Sequence, residues 1–119
     1  MATDIKDARS TLNGLIETCK DGEEGFRSCA EHTKNSDLRK IFNKFSLQRS
    51  AFAGELQTEV LGLGGEPQKS GTTGGAMHRG WIDLKSKIGA ADDQTMLEEC
   101  ERGEDVAVRN YREALSKDL

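Results

Sequence analysis

The hydrophobic pattern at the start of the chain predicts one long amphipathic helix. Apolar residues recur every three or four positions, which is the spacing of a single helix face. Thr3 or Asp4 can cap the N-terminus of this helix, and the polar segment Lys34-Asn35-Ser36 ends it. The apolar positions are Ile5, Ala8, Leu12, Leu15, Cys19, Phe26 and Ala30.

A second helix is predicted immediately after this break. Ser36 followed by Asp37 makes a good N-cap and an acidic first turn. Apolar side chains then recur at helical spacing until Gly64-Gly65, and the only proline, Pro67, stands just beyond, as is common at helix ends. These apolar positions are Leu38, Ile41, Phe42, Phe45, Phe52, Leu56, Val60 and Leu63.

The rest of the chain predicts a loop and two more helices. Residues 64–73 form the loop, a short third helix begins near Gly74, and a fourth helix begins at Asp92-Asp93. No alternating strand pattern competes with these helices, so the sequence predicts an all-α fold. The apolar positions are Met77, Trp81, Leu84 and Ile88 in the third helix, and Met96, Leu97, Cys100, Val108, Tyr111 and Leu115 in the fourth.

The lengths of the connections predict how the helices are arranged. Short connections make the first and second helices antiparallel neighbours, and likewise the third and fourth. The loop of residues 64–73 can extend about 33 Å, at roughly 3.3 Å per residue, and so can return the third helix parallel to the second. We therefore expect a single domain over residues 1–119, a ferritin-like four-helix bundle with a long crossover loop between helices 2 and 3 and a shorter third helix.

Polar residues interrupt the apolar stripe halfway along the long helices. Glu23 interrupts the first helix, and Gln48 and Arg49 interrupt the second. The antiparallel register of these two helices places the three residues at one height. Because a buried polar group destabilises the fold unless it is paired, we predict a structural polar layer of Glu23, Gln48 and Arg49. A salt bridge between Glu23 and Arg49 is the favoured pairing.

Further residues that can bind a metal ion are predicted at the same height. In the second antiparallel pair His78 faces Glu104, and Glu101 lies one helical turn away. Carboxylates suit manganese, and imidazole suits zinc or iron. The sequence therefore offers a candidate site for a divalent metal ion, with His78, Glu101 and Glu104 as ligands and Glu23 as a fourth. The alternative is a structural hydrogen bond from His78 to one of the two glutamates.

Short motifs spread over nearly the whole chain carry a family resemblance. They are Asp21-Gly22, Gln48-Arg49-x-x-Phe52, Leu63-Gly64-Gly65-x-Pro67, His78-Arg79-Gly80-Trp81, Glu98-Glu99-Cys100-Glu101-Arg102-Gly103-Glu104-Asp105 and Tyr111-Arg112-Glu113-Ala114-Leu115. With these motifs the chain resembles an uncharacterised bacterial family of ferritin-like four-helix bundles, domain of unknown function 2383. The resemblance implies a ferritin-like fold and brings no established activity.

The wider ferritin-like class often binds two irons through Glu-x-x-His pairs, and this chain departs from that pattern. Gly75 stands three residues before His78, and Cys29 stands three residues before His32. Arg49 would also place a fixed positive charge near the metal position. The sequence therefore argues against di-iron chemistry and favours a protein that is not an enzyme.

Composition limits the compartments and the binding partners that fit this protein. The 17 basic and 21 acidic residues are interleaved, so we expect no clustered basic face for nucleic acid. No apolar run approaches the roughly 18 residues needed to span a membrane, and the N-terminus lacks the apolar core of a signal peptide. We expect a cytoplasmic protein that binds neither nucleic acid nor membrane.

The three cysteines are expected to be reduced. Cys19 and Cys29 would lie about 15 Å apart along one helix, which is beyond disulfide reach. Cys19 and Cys100 fall on apolar stripes, so both are expected to pack as small core residues.

Two functions remain open from the sequence. The favoured one is a non-catalytic bundle that acts through self-association or a protein partner, because the short third helix leaves apolar surface that a homodimer would bury. The alternative is a metal-binding protein, holding iron, zinc or manganese, with a role in metal or oxidative-stress handling.

Overall fold

The computed structural model describes residues 4–71 and 93–117 of the chain. These residues form three long helices: α1 (Ile5–His32), α2 (Ser36–Gly62) and α3 (Asp93–Leu115), and they contain no strand. The all-α prediction is therefore confirmed for the described part of the chain. Helix α3 is the fourth helix predicted from the sequence, whereas the predicted third helix lies outside the described residues.

Side chains cap both α1 and α2 at their N-termini. Asp4 accepts a hydrogen bond from the backbone N–H of Asp7 at 2.7 Å, as one of the two predicted caps. The cap of α2 is Asn35 and not the predicted Ser36, because the Asn35 side-chain oxygen accepts from two backbone N–H groups of the first turn. Helix α2 ends at Gly62, and Gly64 just beyond it has a φ of 77°, the left-handed conformation that glycine favours.

Helix α1 packs between α2 and α3 and runs antiparallel to both. Contacts along the full length of each pair fix these directions, so α2 and α3 run parallel to each other. The pairs between α1 and α2 are Arg9 with Leu63, Glu23 with Ser46 and Ala30 with Arg39. The pairs between α1 and α3 are Thr11 with Lys117, Thr18 with Asn110 and Cys29 with Cys100.

The direction of α3 differs from the one that the predicted crossover topology requires. If the third predicted helix were parallel to α2 and antiparallel to the fourth, the fourth would be antiparallel to α2. The fourth predicted helix, α3, is instead parallel to α2. The predicted third helix therefore cannot be both parallel to α2 and antiparallel to α3. The reason is that loop length limits where the chain can return but does not fix its direction.

The start of the predicted long loop lies against α1. Residues 64–71 leave the end of α2 and run beside α1 in the direction of that helix. Asn13 accepts a hydrogen bond from the Gln68 N–H at 2.8 Å, and Gly71 lies against the buried Asp21. Between Asn13 and Asp21 the loop therefore advances about 12 Å, at roughly 1.5 Å of helix rise per residue.

Two clusters of apolar side chains form the core of the described residues, and α1 contributes to both. One cluster surrounds Phe26, Phe42 and Met96, and the other surrounds Ile16 and Val60. All three cysteines are buried, which confirms the prediction that Cys19 and Cys100 pack as core residues. None of the described helices is long and apolar enough to cross a bilayer.

Candidate functional site

An ion pair joins α2 to α3 halfway along the three-helix assembly. The Arg49 guanidinium donates to both carboxylate oxygens of Glu104, with N···O distances of 2.5 and 2.8 Å. The two side chains are 16% and 34% exposed, so the pair is largely shielded from solvent. The hydrogen bonds to Glu104 raise the pKa of Arg49, which keeps the guanidinium charged. This pair supplies the only direct α2–α3 hydrogen bonds found among the described residues.

Helix α1 shapes the space that the Arg49 side chain occupies. The Arg49 guanidinium carbon lies 5.5 Å from the centre of the Phe26 ring, within cation–π range. A Cβ atom built on Gly22 would lie 3.4 Å from Cγ of Arg49, so the arginine stem packs directly on the α1 backbone. Arg49 therefore passes α1 in ordinary van der Waals contact and reaches Glu104 on the far helix.

A second buried polar contact lies one turn from this ion pair. The Cys19 thiol and the Tyr111 hydroxyl are 2.8 Å apart, which joins α1 to α3. Burial raises the pKa of the Tyr111 phenol, and the hydrogen bond to Cys19 adds to this effect. Burial also raises the pKa of the Cys19 thiol. Both groups therefore remain protonated at neutral pH, and Cys19 is not a reactive thiolate.

The predicted salt bridge between Glu23 and Arg49 is wrong. Glu23 is paired with Lys20 on its own helix, at 3.2 Å, whereas Arg49 passes over Gly22 to Glu104. Gln48 is exposed and does not point into the assembly. Successive residues of a helix differ in direction by about 100°, so the inward orientation of Arg49 turns Gln48 towards solvent. Arg49 of the predicted layer meets Glu104 of α3 instead.

The predicted metal ligands are not brought together by the described residues. Glu101 is exposed, Glu104 is engaged by Arg49, and Glu23 is engaged by Lys20. His78 lies outside the residues that the structure describes. Within residues 4–71 and 93–117, no group of three or more His, Cys, Asp or Glu side chains is placed to hold a metal ion. The metal site therefore stays a prediction.

An open groove lies between α2 and α3, and the Arg49–Glu104 ion pair forms part of its lining. A cleft of about 280 Å³ has Arg49, Glu104 and Tyr111 in its lining together with apolar side chains. It adjoins a second cleft of about 430 Å³, with which it shares Phe52 and Tyr111. The two clefts form one groove. Because its lining is mainly apolar, it is suited to packing against another protein surface rather than to binding a small polar molecule.

Exposed apolar side chains extend this groove along both helices. Phe52 of α2 is 39% exposed, and Val108 and Leu115 of α3 are 45% and 82% exposed. Ile41 and Leu97, each about three helical turns earlier, lie on the same helix faces as Phe52 and Val108 and are also exposed. We call the surface formed by Ile41, Phe52, Leu97, Val108 and Leu115 the α2/α3 face.

Charged residues border this face with opposite signs on its two sides. Glu55 and Glu59 of α2 and Arg112 of α3 line the groove, and all three are exposed. Towards the other end of the face the signs are reversed, with exposed Lys44 on α2 and exposed Glu101 on α3. Each end of the face therefore has an acidic border and a basic border.

Comparison with protein families matches residues 7–117 to the family described as Domain of unknown function (DUF2383). The chain belongs to the DUF2383 family. This match confirms the family that the sequence motifs indicated. Comparison with curated proteins and with solved structures found no match. The DUF2383 description assigns no activity. The residues of the α2/α3 face are the feature of this member that indicates a function.

The contacts between α1 and α3 were not predicted from the sequence. Cys19 with Tyr111 and Cys29 with Cys100 both follow from one antiparallel register between these two helices. The sequence contains a signal for these contacts, because both pairs fit the same alignment of the apolar stripes of α1 and α3. Loop lengths, however, indicate only pairs of helices that are adjacent in sequence, and α1 and α3 are not adjacent.

Proposed function

We propose that this protein is a non-catalytic helical bundle that acts through self-association. The α2/α3 face of one copy packs against the same face of a second copy and forms a homodimer. The observation that carries this proposal is the exposure of large apolar side chains on both helices, at Ile41, Phe52, Leu97, Val108 and Leu115. Exposed apolar surface that is bordered by polar residues commonly marks a protein interface.

The arrangement of α2 and α3 makes this face suitable for a symmetric dimer. The two helices are parallel and level with each other, since Arg49 meets Glu104. A two-fold axis within the face and parallel to the helices would place α2 of one copy opposite α3 of the second at equal height. Phe52 would then pack near Val108 of the second copy, and both apolar side chains would lose their contact with water.

The charges at the borders of the face support the same arrangement. With that two-fold axis, Glu55 and Glu59 would lie opposite Arg112 of the second copy, and Lys44 would lie opposite Glu101. Every pairing brings unlike charges together at the edge of an apolar centre. Such complementarity steers association and fixes the register of the two surfaces. The polar border therefore selects a second copy over an unrelated apolar surface.

The mass of the protein in solution tests this proposal. We expect light scattering after size-exclusion chromatography to give a dimer for the wild type and a monomer for Phe52→Glu, because the carboxylate would be buried without a partner. The matched control is Leu47→Glu on the same helix. Leu47 is more exposed, at 72%, and points about 140° away from Phe52. The Leu47→Glu variant should remain dimeric.

Two outcomes would contradict the proposal. One is a wild-type protein that is monomeric at high concentration while circular dichroism shows it folded. The other is an equal loss of dimer in Leu47→Glu and Phe52→Glu. A monomeric wild type whose Trp81 fluorescence shifts in Phe52→Glu would assign the face to residues 72–92 of the same chain instead.

A charge exchange tests the orientation of the two copies. The double variant Glu55→Arg/Glu59→Arg should weaken the dimer, because three basic residues would then meet at each border. Adding Arg112→Glu should restore it, since the charges are exchanged and unlike signs face each other again. Failure of this third substitution to restore the dimer would rule out the parallel two-fold axis.

Three finer features of the protein belong to this proposal. We propose a four-helix scaffold, a bacterial source and a cytoplasmic location. The motif resemblance supports the scaffold and the source. The three buried, reduced cysteines support the location, because reducing compartments maintain free thiols.

A further inference from the structure

Two of the three cysteines meet across the interface between α1 and α3. The sulfur atoms of Cys29 and Cys100 are 3.6 Å apart, and both residues belong to the cluster around Phe26 and Met96. The third cysteine, Cys19, belongs to the other cluster and is hydrogen-bonded to Tyr111. The described structure thus contains one thiol pair and one separate thiol, and nothing in the dimer proposal uses the pair.

We propose that Cys29 and Cys100 are an oxidation site that forms a reversible disulfide bond between α1 and α3. A disulfide requires the two sulfur atoms to approach to about 2 Å. They are already in contact, on helices packed side by side, so the remaining approach is about 1.5 Å. Small rotations of two short side chains and a slight shift of the helices supply a movement of this size.

The two sulfur atoms differ in a way that assigns them separate steps. Cys29 is 0% exposed and Cys100 is 6% exposed, so an oxidant reaches either sulfur only when the helix ends open. The hydrogen bond with Cys100 lowers the pKa of the Cys29 thiol, which favours its thiolate form. Cys29 is therefore the residue that is oxidised, and Cys100 is the residue that resolves the oxidised form.

The oxidant that fits this pair is a small peroxide. The Cys29 thiolate attacks one oxygen of hydrogen peroxide, the O–O bond breaks, and the hydroxide that leaves takes the proton of the Cys100 thiol, so that Cys29 sulfenic acid and one water form. The Cys100 thiolate then attacks the Cys29 sulfur and displaces the hydroxyl group, which leaves as a second water with one more proton. Two thiols lose two electrons in total, and one peroxide is reduced to two waters.

The position of the pair within its helices provides access for the oxidant. Cys29 lies in the last turn of α1, which ends at His32, and Cys100 lies in the second turn of α3, which begins at Asp93. Helix ends open more readily than helix centres. Cys19 is in the middle of α1, and burial raises its thiol pKa. Oxidation should therefore select Cys29 and Cys100 and leave Cys19 reduced.

Counting free thiols in the full chain tests this inference. The reduced protein is treated with hydrogen peroxide, denatured and titrated with a thiol reagent. We expect three free thiols to fall to one, with recovery of all three after dithiothreitol, and peptide mapping should join Cys29 to Cys100. Cys19→Ser is the matched control and should still lose two thiols. Cys29→Ser and Cys100→Ser should form no intramolecular disulfide.

Several results would overturn the inference, and peptide mapping of the wild type decides it even if a serine variant fails to fold. Three thiols that stay reduced in the folded wild type would do so. So would a disulfide between two chains, seen as a dimer on a non-reducing gel. A disulfide that includes Cys19, or Cys29 sulfinic acid without a link to Cys100, would equally exclude the proposed pair.

Discussion

The guanidinium group of Arg49 lies where three helices meet. Its stem rests on Gly22, its charge lies against the Phe26 ring, and its two donors reach Glu104. A bidentate pair of this kind fixes both distance and orientation. Because no other hydrogen bond joins α2 to α3 in the described residues, this pair sets the height at which the two helices face each other. It therefore also sets the geometry of the α2/α3 face.

The stability of the Arg49–Glu104 pair can be measured with a double-mutant cycle. Arg49→Ala or Glu104→Ala should each lower the free energy of unfolding by roughly 1.5–3 kcal/mol, because a shielded charge loses its partner. The coupling energy should exceed about 1 kcal/mol. Lys20 with Glu23 is the control, with an expected coupling of about 0.2–0.5 kcal/mol for a pair within one helix. Equal coupling in the two pairs would show that Arg49–Glu104 behaves as a surface ion pair.

The Tyr111 phenol makes stability depend on pH in the alkaline range. Its pKa is raised in the folded protein above the ordinary value of 10.0, so the folded state holds the proton more tightly than the unfolded state. The resulting stabilisation is fully present below about pH 10 and is lost as pH rises further. Chemical denaturation between pH 8 and 11 should show this fall. The fall should be smaller in Tyr111→Phe, and the same fall in both proteins would exclude Tyr111 as its source.

At the scale of the helices, the glycines separate into two groups. Gly22 and Gly71 lie against side chains of neighbouring elements, where a Cβ atom would meet Arg49 and Asp21. Gly14 and Gly54 have no neighbouring atom within 4 Å of a built Cβ, so packing does not require glycine there. Only the packing distinguishes Gly71, where a Cβ atom would overlap its neighbour, from the glycines where a Cβ atom fits.

Alanine substitutions at two glycines should have opposite effects. Gly54→Ala should raise the free energy of unfolding by about 0.5–1 kcal/mol, because alanine favours an open helical position. Gly71→Ala should lower it by about 1–3 kcal/mol, because the new methyl group would overlap the Asp21 carboxylate. Denaturant titration measures both changes. Stabilisation by Gly71→Ala would mean that the loop does not lie against α1 in solution.

At the scale of the whole molecule, both helices of the α2/α3 face repeat the same pattern. Eleven residues, or about three helical turns, separate Ile41 from Phe52 and Leu97 from Val108. The same interval separates Lys44 from Glu55 and Glu101 from Arg112, with a change of sign in each case. The two helices therefore carry matching apolar positions and opposite charges at matching heights.

Self-association predicts that thermal stability depends on protein concentration. Only the folded dimer is stabilised by mass action, so the unfolding midpoint of the wild type should rise with concentration. A hundredfold increase should raise it by a few degrees, since a stabilisation of about 1 kcal/mol shifts the midpoint of a domain this size by roughly 4–8 °C. Differential scanning fluorimetry of Phe52→Glu should show no such rise. A concentration-independent midpoint in the wild type would contradict the dimer.

The sequence by itself determined the three described helices, the antiparallel register of α1 with α2 and the burial of Cys19 and Cys100. These properties follow from helical periodicity and from one short connection, which are local. Only the tertiary structure decided that Arg49 pairs with Glu104 and not with Glu23, that α3 runs parallel to α2, and that Cys29 meets Cys100. Those contacts depend on the direction in which the chain returns after α2, and a long loop permits either direction.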